Sequence, residues 1–336
     1  MRVLAGDIGG TKTLLQVVDV DPLGCRQVWE QRFDSQSYGD FSALLAEFLD
    51  HAQQQSPGMI ESACLGVAGP VVNAQARITN LPWTIDARQL MSKYRLPHVS
   101  LINDFQAIGY GIGGLRETDF VTLQSGQPRP RGPRALIGAG TGLGEGLMLW
   151  MDNHYEVLPS EGGHVDFAPT TSRQMDLLQH LAQRMERVSY ECIVSGPGLV
   201  RIHEFLCAAG PLRPSAAFAA ALQSADDPAA CISQHALQGN EPIAEQTLEL
   251  FLEIYGAQAG NLALTVLASG GVYIAGGIAP KLIDRLRDGT FIRAFNHKSP
   301  MSGLTSAMPV KVVMNPHVGL IGAALKAARE GAGLGV

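Results

Sequence analysis

Residues 2–33 read RVLAGDIGGTKTLLQVVDVDPLGCRQVWEQRF, and this stretch decides the fold. RVLAGDI runs into a glycine turn at Gly9-Gly10, TLLQVVDV follows, DPLG makes the next turn, and CRQVWEQRF runs back. Alternation between turn formers predicts three strands in a β-meander. Residues 134–158 repeat the plan as RALIGAG, the turn TGLG, EGLMLWM, the turn DN and HYEVL. Two strand–glycine-turn–strand–strand units predict a duplicated α/β architecture.

The segments outside these units fit the same class. FSALLAEFLDHAQQQ (41–55) is an amphipathic helix stopped by SPG. ESACLGVAGPV (61–71) is a strand entering a Gly-Pro turn, VSLINDF (99–105) a strand ending in the polar pair Asn103-Asp104, and DFVTL (119–123) another strand. SGQPRPRGPR (125–134) reads as a surface loop. From Ile243 a long helix carries Ala244, Leu248, Phe251, Leu252, Tyr255, Ala259, Leu262, Ala263 and Val266 on one face. Strands GVYIAGG and PVKVVM follow. Asn315-Pro316 then supplies a cap and an N1 proline for a terminal helix, with Val318, Ile321, Leu325 and Ala328 facing the core and Gly331 at C′.

A length of 336 residues fits two domains at about 100–200 residues each, or one large domain. With 46% hydrophobic and 17% charged residues the chain forms cores, which excludes a disordered or collagen-like polymer. A net charge of -6 gives no basic footprint for nucleic acid. Cys25, Cys64, Cys192, Cys207 and Cys231 lack C-x-x-C spacing and are expected to be reduced and mostly buried, in a cytoplasmic enzyme. The start MRVLAGDIGG is too short and too quickly acidic for a signal peptide. The stretch between Glu253 and Lys281 has no charge, but Gln258, Asn261, Thr265, Ser269 and several glycines interrupt it. It is read as a core helix and a buried strand, with no membrane association.

Three strand-ending glycine motifs point to a ligand. In Gly6-Asp7-Ile8-Gly9-Gly10-Thr11 a carboxylate ends a strand before a glycine hairpin. Backbone N–H groups there can meet an anion, Thr11 adds a hydroxyl, and Asp7 can face Mg²⁺ through water. Gly140-Thr141-Gly142, within IGAGTGLGEG, forms a second cradle, and Gly276-Gly277 lets a flat ring such as adenine lie on the backbone. Any one of these can be an ordinary turn. Three in one α/β chain favour ligand binding, because ligands gather at the carboxyl ends of such strands. No G-x-x-x-x-G-K-[ST] occurs, which excludes a P-loop. Gly109-Gly111-Gly114 matches G-x-G-x-x-G but reads as close packing within a helix.

The candidate catalytic groups are carboxylates. Asp104 is either a base or the cap of the next helix. Glu161-Gly162-Gly163-His164 sets an acid and an imidazole around two glycines, and Glu191 precedes Ser195-Gly196-Pro197-Gly198. Carboxylates and an amide are suited to a polyhydroxylated ligand. His164 has no second His or Cys at ligand spacing, so no protein metal ligands are assigned.

Together these motifs resemble the bacterial glucokinase family, within the superfamily of sugar kinases, actin and heat-shock chaperone ATPases. The resemblance rests on GDIGGTKT (6–13), LINDFQAIGYG (101–111), IGAGTGLGEG (137–146), EGGHVDFAP (161–169), Glu191 with SGPGL (195–199), and IAGGIAPK (274–281). The cysteine-rich zinc motif of the repressor-and-kinase group is absent, and Lys12 stands where many members have Asn. The resemblance implies a two-domain actin-like ATPase (ribonuclease H-like) fold with an interdomain cleft, a small domain of 1–114 plus 316–336 and a large one of 115–315. It implies phosphorylation of D-glucose at the 6-hydroxyl by ATP with Mg²⁺, in a cytoplasmic homodimer. Asn103, Asp104, Glu161, His164 and Glu191 would hold glucose, with Asp104 as base. The turns at 6–11 and 140–142 would hold phosphates. The rivals are a broader hexose kinase acting also on mannose or glucosamine, a sugar sensor or regulator without activity, and an actin-like filament protein. No helix-turn-helix precedes the first strand to support a regulator, and a filament protein leaves the sugar-site carboxylates unexplained.

Overall fold

The computed structural model describes residues 1–22, 24–78 and 80–333. In chain order the elements begin with β1 (Arg2–Ile8), β2 (Lys12–Asp21), β3 (Gly24–Asp34), α1 (Phe41–Gln55), β4 (Ser62–Val67), β5 (Val71–Val72), β6 (Gln75–Arg77), β7 (Thr84–Asp86), α2 (Ala87–Tyr94), β8 (Val99–Asn103) and α3 (Asp104–Gly111). Then come β9 (Phe120–Gln124), β10 (Arg134–Ala139), β11 (Leu143–Met151), β12 (His154–Ser160), α4 (Ser172–Ala182), α5 (Gly196–Ala209), α6 (Ala216–Gln223), α7 (Pro228–Gln238) and α8 (Pro242–Val266). The chain continues with β13 (Gly271–Ala275), α9 (Ile283–Leu286), α10 (Thr290–Asn296), α11 (Ser302–Ser306), β14 (Val310–Val313) and α12 (Val318–Gly331). They fall into two compact units. One holds Met1–Asp119, Asn153–Pro159 and the chain from Asn315; the other holds Phe120–Asp152 and Ser160–Met314.

The first unit carries a sheet ordered β3-β2-β1-β4-β8. The meander is antiparallel as read from the sequence, and β1, β4 and β8 run parallel. Parallel strands covered on both faces are apolar throughout, and every residue of β4 is buried. On one face α1, capped by Asp40 accepting from the Ala43 N–H at 2.8 Å, packs Phe41, Leu44, Leu45 and Phe48 against Leu4, Leu15 and Leu65. Each such buried side chain contributes about 1.5–3 kcal/mol. On the other face Leu320, Ala323, Ala324 and Ala327 of α12 meet Val3, Ala5, Cys64 and Ile102.

The Gly109-Gly111-Gly114 match is close packing, as expected. A Cβ on Gly109 would strike Val157, one on Gly111 the Val318 backbone, and one on Gly114 Ile321 and Leu325. The terminal helix departs from the sequence reading. It begins at Val318 after His317; Asn315 Oδ1 accepts from the His317 N–H at 2.9 Å, and its amide donates to Asp119 at 3.1 Å. Asn315 therefore ties down the approach to the helix, and Gly331 is the last helical residue rather than the one past the end.

The second unit orders β11-β10-β13-β14-β9, with β10–β11 antiparallel and β10, β13 and β14 parallel. The series β11-β10-β13-β14 repeats β2-β1-β4-β8, which is the duplication seen in the sequence. The glycine turn is one step earlier than TGLG, at Gly140–Gly142, because Leu143 and Gly144 already pair with Ala139 and Gly138. The long helix α8 buries 15 of its 25 residues rather than one face. Gly256 and Gly260 let α10 approach one side while α5 and α7 pack elsewhere. The uncharged stretch is the end of α8 followed by β13, and no described helix is long and apolar enough to cross a membrane. Of the free cysteines only Cys64 is buried; Cys25 is exposed and the other three are half-buried, so the expectation of mostly buried thiols is corrected.

Candidate active site

In the first unit the candidate residues lie at the carboxyl ends of β1, β4 and β8. The Gly9 N–H donates to the Lys12 carbonyl at 3.0 Å and the Ser35 N–H to the Thr11 carbonyl at 3.0 Å. Buried Ser35 also donates its hydroxyl to the Gly9 carbonyl at 2.8 Å and pairs with the Thr13 hydroxyl at 3.0 Å. The hairpin is thus pinned from the inside, while Thr11 is exposed. Gly6 is explained by packing: a Cβ there would lie 2.7 Å from Leu65 and 2.9 Å from Leu15. The Ile8 side chain is in the core, leaving only its backbone for a ligand. The Asp7 side chain is reached by solvent, yet crowding protein raises its pKa by desolvation, opposed by Lys12.

Asn103, not Asp104, caps α3. Its Oδ1 accepts from the Phe105 N–H at 2.8 Å, Gln106 reaches back to the Asn103 N–H at 3.2 Å, and the Asn103 amide donates to the Gly69 carbonyl at 3.3 Å. Asp104 is therefore in the first turn of the helix with its carboxylate not needed as the cap. One of its oxygens accepts from the Phe105 N–H at 2.8 Å. Burial pushes its pKa up to about 6, against the Phe105 N–H and with the help of the Asp7 charge. Gly66, between β1 and β8, brings the helix close: a Cβ there would lie 3.1 Å from the Ala107 methyl and 3.8 Å from the Asp104 Cα.

In the second unit the remaining candidates converge around the end of β10. His164 faces two carboxylates, with Nε2 3.9 Å from Glu161 and Nδ1 3.7 Å from Glu191. Glu191 also accepts from the Leu143 N–H at 2.9 Å, and a Cβ on Gly142 would lie 2.5 Å from that carboxylate oxygen. The Glu191 N–H donates to the Gly163 carbonyl at 2.8 Å, joining the two acid-bearing segments. On the other side, the Gly140 carbonyl accepts from the Gly196 N–H at 2.8 Å at the start of α5, which Ser195 caps. A Cβ on Gly140 would meet no protein atom, and Thr141 is exposed. Gly276 has φ +83°, and a Cβ there would lie 2.6 Å from the Ala139 carbonyl. Glycine is required there by the backbone, while Gly277 faces open space.

The model of the glucokinase family matches residues 4–330. The chain belongs to the glucokinase family. It is 44% identical to the glucokinase of Nostoc punctiforme over 97% of this chain and 99% of that one. A crystal structure of glucokinase from an Antarctic psychrotroph superposes with a TM-score of 0.84 at 29% identity, covering 98% of this chain and 99% of the other. A glucokinase from Balamuthia mandrillaris, solved in complex with glucose, shares the fold at TM-score 0.76 and 22% identity over 98% of this chain and 93% of that one. The fold is accordingly the actin-like ATPase fold of sugar kinases.

Sequence reading missed several residues that build these sites. Ser35 and Thr13 hold the hairpin from inside. Glu145, Gln258 and Tyr190, all buried, and half-buried Asn261 form a polar chain behind the Glu161–His164 turn. The one available signal was Glu145, a carboxylate at an inward position of an apolar strand.

Proposed function

We infer that this chain transfers the γ-phosphoryl group of ATP to the 6-hydroxyl of D-glucose. Asp104 is the base. The observation that carries this reading is Asp104 itself: a half-buried carboxylate at the end of a parallel strand, not needed as the helix cap, with a pKa of about 6. A base with that pKa is ionised at neutral pH yet basic enough to take the hydroxyl proton as the bond to phosphorus forms. Asn103 with Asp104 in the first unit, and Glu161, His164 and Glu191 in the second, supply the acceptors and donors that a hexose needs.

The backbone at Gly9–Thr11 and Gly140–Gly142 binds phosphate oxygens, and Gly276-Gly277 accommodates the adenine. Gly140 supports this assignment because the space beside it is free of protein. Asp7 is suited to a hydrated Mg²⁺: it offers a hard carboxylate oxygen that solvent reaches and whose charge is felt at Asp104. When bound, the ion supplies neutralising charge to the β- and γ-phosphates. Asp104 then needs only to orient the hydroxyl and take its proton, because phosphoryl transfer is mainly positioning and electrostatics. We place the enzyme in the cytoplasm as a homodimer, with a small domain of 1–114 plus 316–336 and a large one of 115–315; the first compact unit differs from the small domain by also taking in 115–119, Asn153–Pro159 and Asn315.

The test is a coupled assay across hexoses and phosphate donors. Glucose with ATP is expected to give the highest kcat/KM. Comparable values for mannose or glucosamine would make the enzyme a broader hexose kinase, and no turnover with any hexose would make it a sensor.

A further inference from the structure

Glu145 is 3% exposed in the middle of an otherwise apolar strand. Burying a carboxylate is costly unless it is well partnered, so its presence needs a reason. One oxygen accepts from the Gln258 amide of α8 at 2.8 Å. The other lies against Gly162, where a Cβ would overlap it. Gly163 likewise presses on the Leu143 carbonyl, two residues along the same face of β11. The Glu161–His164 turn therefore rests on Leu143 and Glu145.

The polar chain does not stop at Gln258. Its carbonyl accepts from the Asn261 amide at 3.1 Å, and that amide also donates to the Tyr190 hydroxyl at 3.1 Å. Tyr190 adjoins Glu191, and the Tyr190 N–H donates to the Val165 carbonyl at 3.0 Å. One end of the chain thus supports the turn bearing Glu161 and His164, and the other reaches the segment bearing Glu191. All these residues are in the second unit.

We propose that Glu145, Gln258, Asn261 and Tyr190 act as a unit of positioning residues that fix the spacing of Glu161, His164 and Glu191 for the sugar. The inference rests on the reading that those three hold glucose. It assigns the cluster no contact with substrate.

The test uses the full chain with G162A, E145A, the double variant, E145Q and N261A, and compares KM for glucose with KM for ATP. Gly162 does not have a positive φ, so alanine there acts chiefly through its clash with Glu145, with a second, milder approach of 3.1 Å to the Ser160 hydroxyl. A misplacement of an ångström in a polar site costs up to about 100-fold, so G162A is expected to raise the glucose KM by about tenfold or more, with the ATP KM unchanged. E145A vacates the space the new methyl needs, so the double variant is expected to be no worse than E145A alone. E145Q keeps the bond from Gln258 and is expected to be milder than E145A. N261A, which cuts the chain further on and keeps the test alive if E145A does not fold, is expected to raise the glucose KM several-fold. Multiplying effects in the double variant, or equal changes in both KM values, would overturn the proposal, as would an unchanged glucose KM in G162A and N261A. E161Q and E191Q are run alongside: if these leave the glucose KM unchanged, the reading of the sugar site itself is what has failed.

Discussion

The raised pKa of Asp104 fixes where the enzyme should lose activity in acid. A carboxylate at its ordinary value, near 4, stays ionised down to about pH 5. At about 6, Asp104 is half protonated at that pH and only about a tenth ionised one unit lower. The protonated acid cannot accept the hydroxyl proton, so kcat/KM should fall about tenfold per pH unit below 6. Because burial is the main cause of the shift and the Asp7 charge adds to it, removing that charge should move the limb down. The assay is the coupled reaction with glucose and MgATP both well below KM, so that the ionisation of the free enzyme is read, for the parent and for Asp7→Asn. Asp7→Asn is expected to lower the absolute rate by weakening Mg²⁺ binding, but the position of the limb is independent of that scale. A limb that stays in place in Asp7→Asn would assign the titration to the nucleotide or another group. A parent limb near pH 4 would remove the physical basis for Asp104 as a tuned base.

Other consequences follow from individual contacts. Gly140→Val places a Cβ where no protein atom beyond the two chain neighbours lies within 4 Å, so the fold should survive while the ATP KM rises or kcat falls; unchanged ATP kinetics would remove this turn from the phosphate site. Gly276→Ala combines a strained φ of +83° with a 2.6 Å approach to the Ala139 carbonyl, and a melting curve should show a loss of about 1–3 kcal/mol. Glu156 is held at about 2: burial works against its ionisation, but Tyr110, Arg329, Lys326 and His154 overcome this. Its folded pKa lies below the unfolded one, so the stability it supplies is present above about pH 5 and is lost as pH falls toward 2. Glu156→Gln should therefore unfold at lower denaturant concentration than the parent at neutral pH, and the gap should close toward pH 2; a gap independent of pH would contradict the assignment.

The parts of this protein legible in its sequence are those that local chemistry determines. The β1–β3 meander, α1, β8 and β13 follow from alternation, periodicity and turn residues, and the repeat of the hairpin plan revealed the duplication. The short strands β5–β7 and the helices α9–α11 were not read, because segments of two to seven residues carry too little periodicity. The sequence offered Asp104 as the alternative cap of α3, but its neighbour Asn103 is an equally good cap, and the bonds to Phe105 and Gln106 give the role to Asn103. The helix start was misplaced because Asn315 and Pro316 suit a cap locally, whereas Asn315 is engaged with Asp119 far away in the chain. Candidate site residues stood out wherever glycine and an acid are neighbours, as in Glu161–His164. Ser35 and the Glu145–Gln258–Asn261–Tyr190 chain did not, because their meaning lies in contacts between residues up to 113 positions apart.

The central claim is that Asp104 takes the proton from the sugar hydroxyl, and Asp104→Asn tests it most directly. The substitution keeps the shape and an acceptor for the Phe105 N–H but removes the base. Single-turnover and steady-state rates, with glucose binding measured separately by calorimetry, should show kcat lower by about 10²–10⁴-fold, roughly 3–5.5 kcal/mol of barrier, with glucose still bound. A variant that retains near-parent kcat would leave Asp104 as part of a helix terminus and contradict the mechanism.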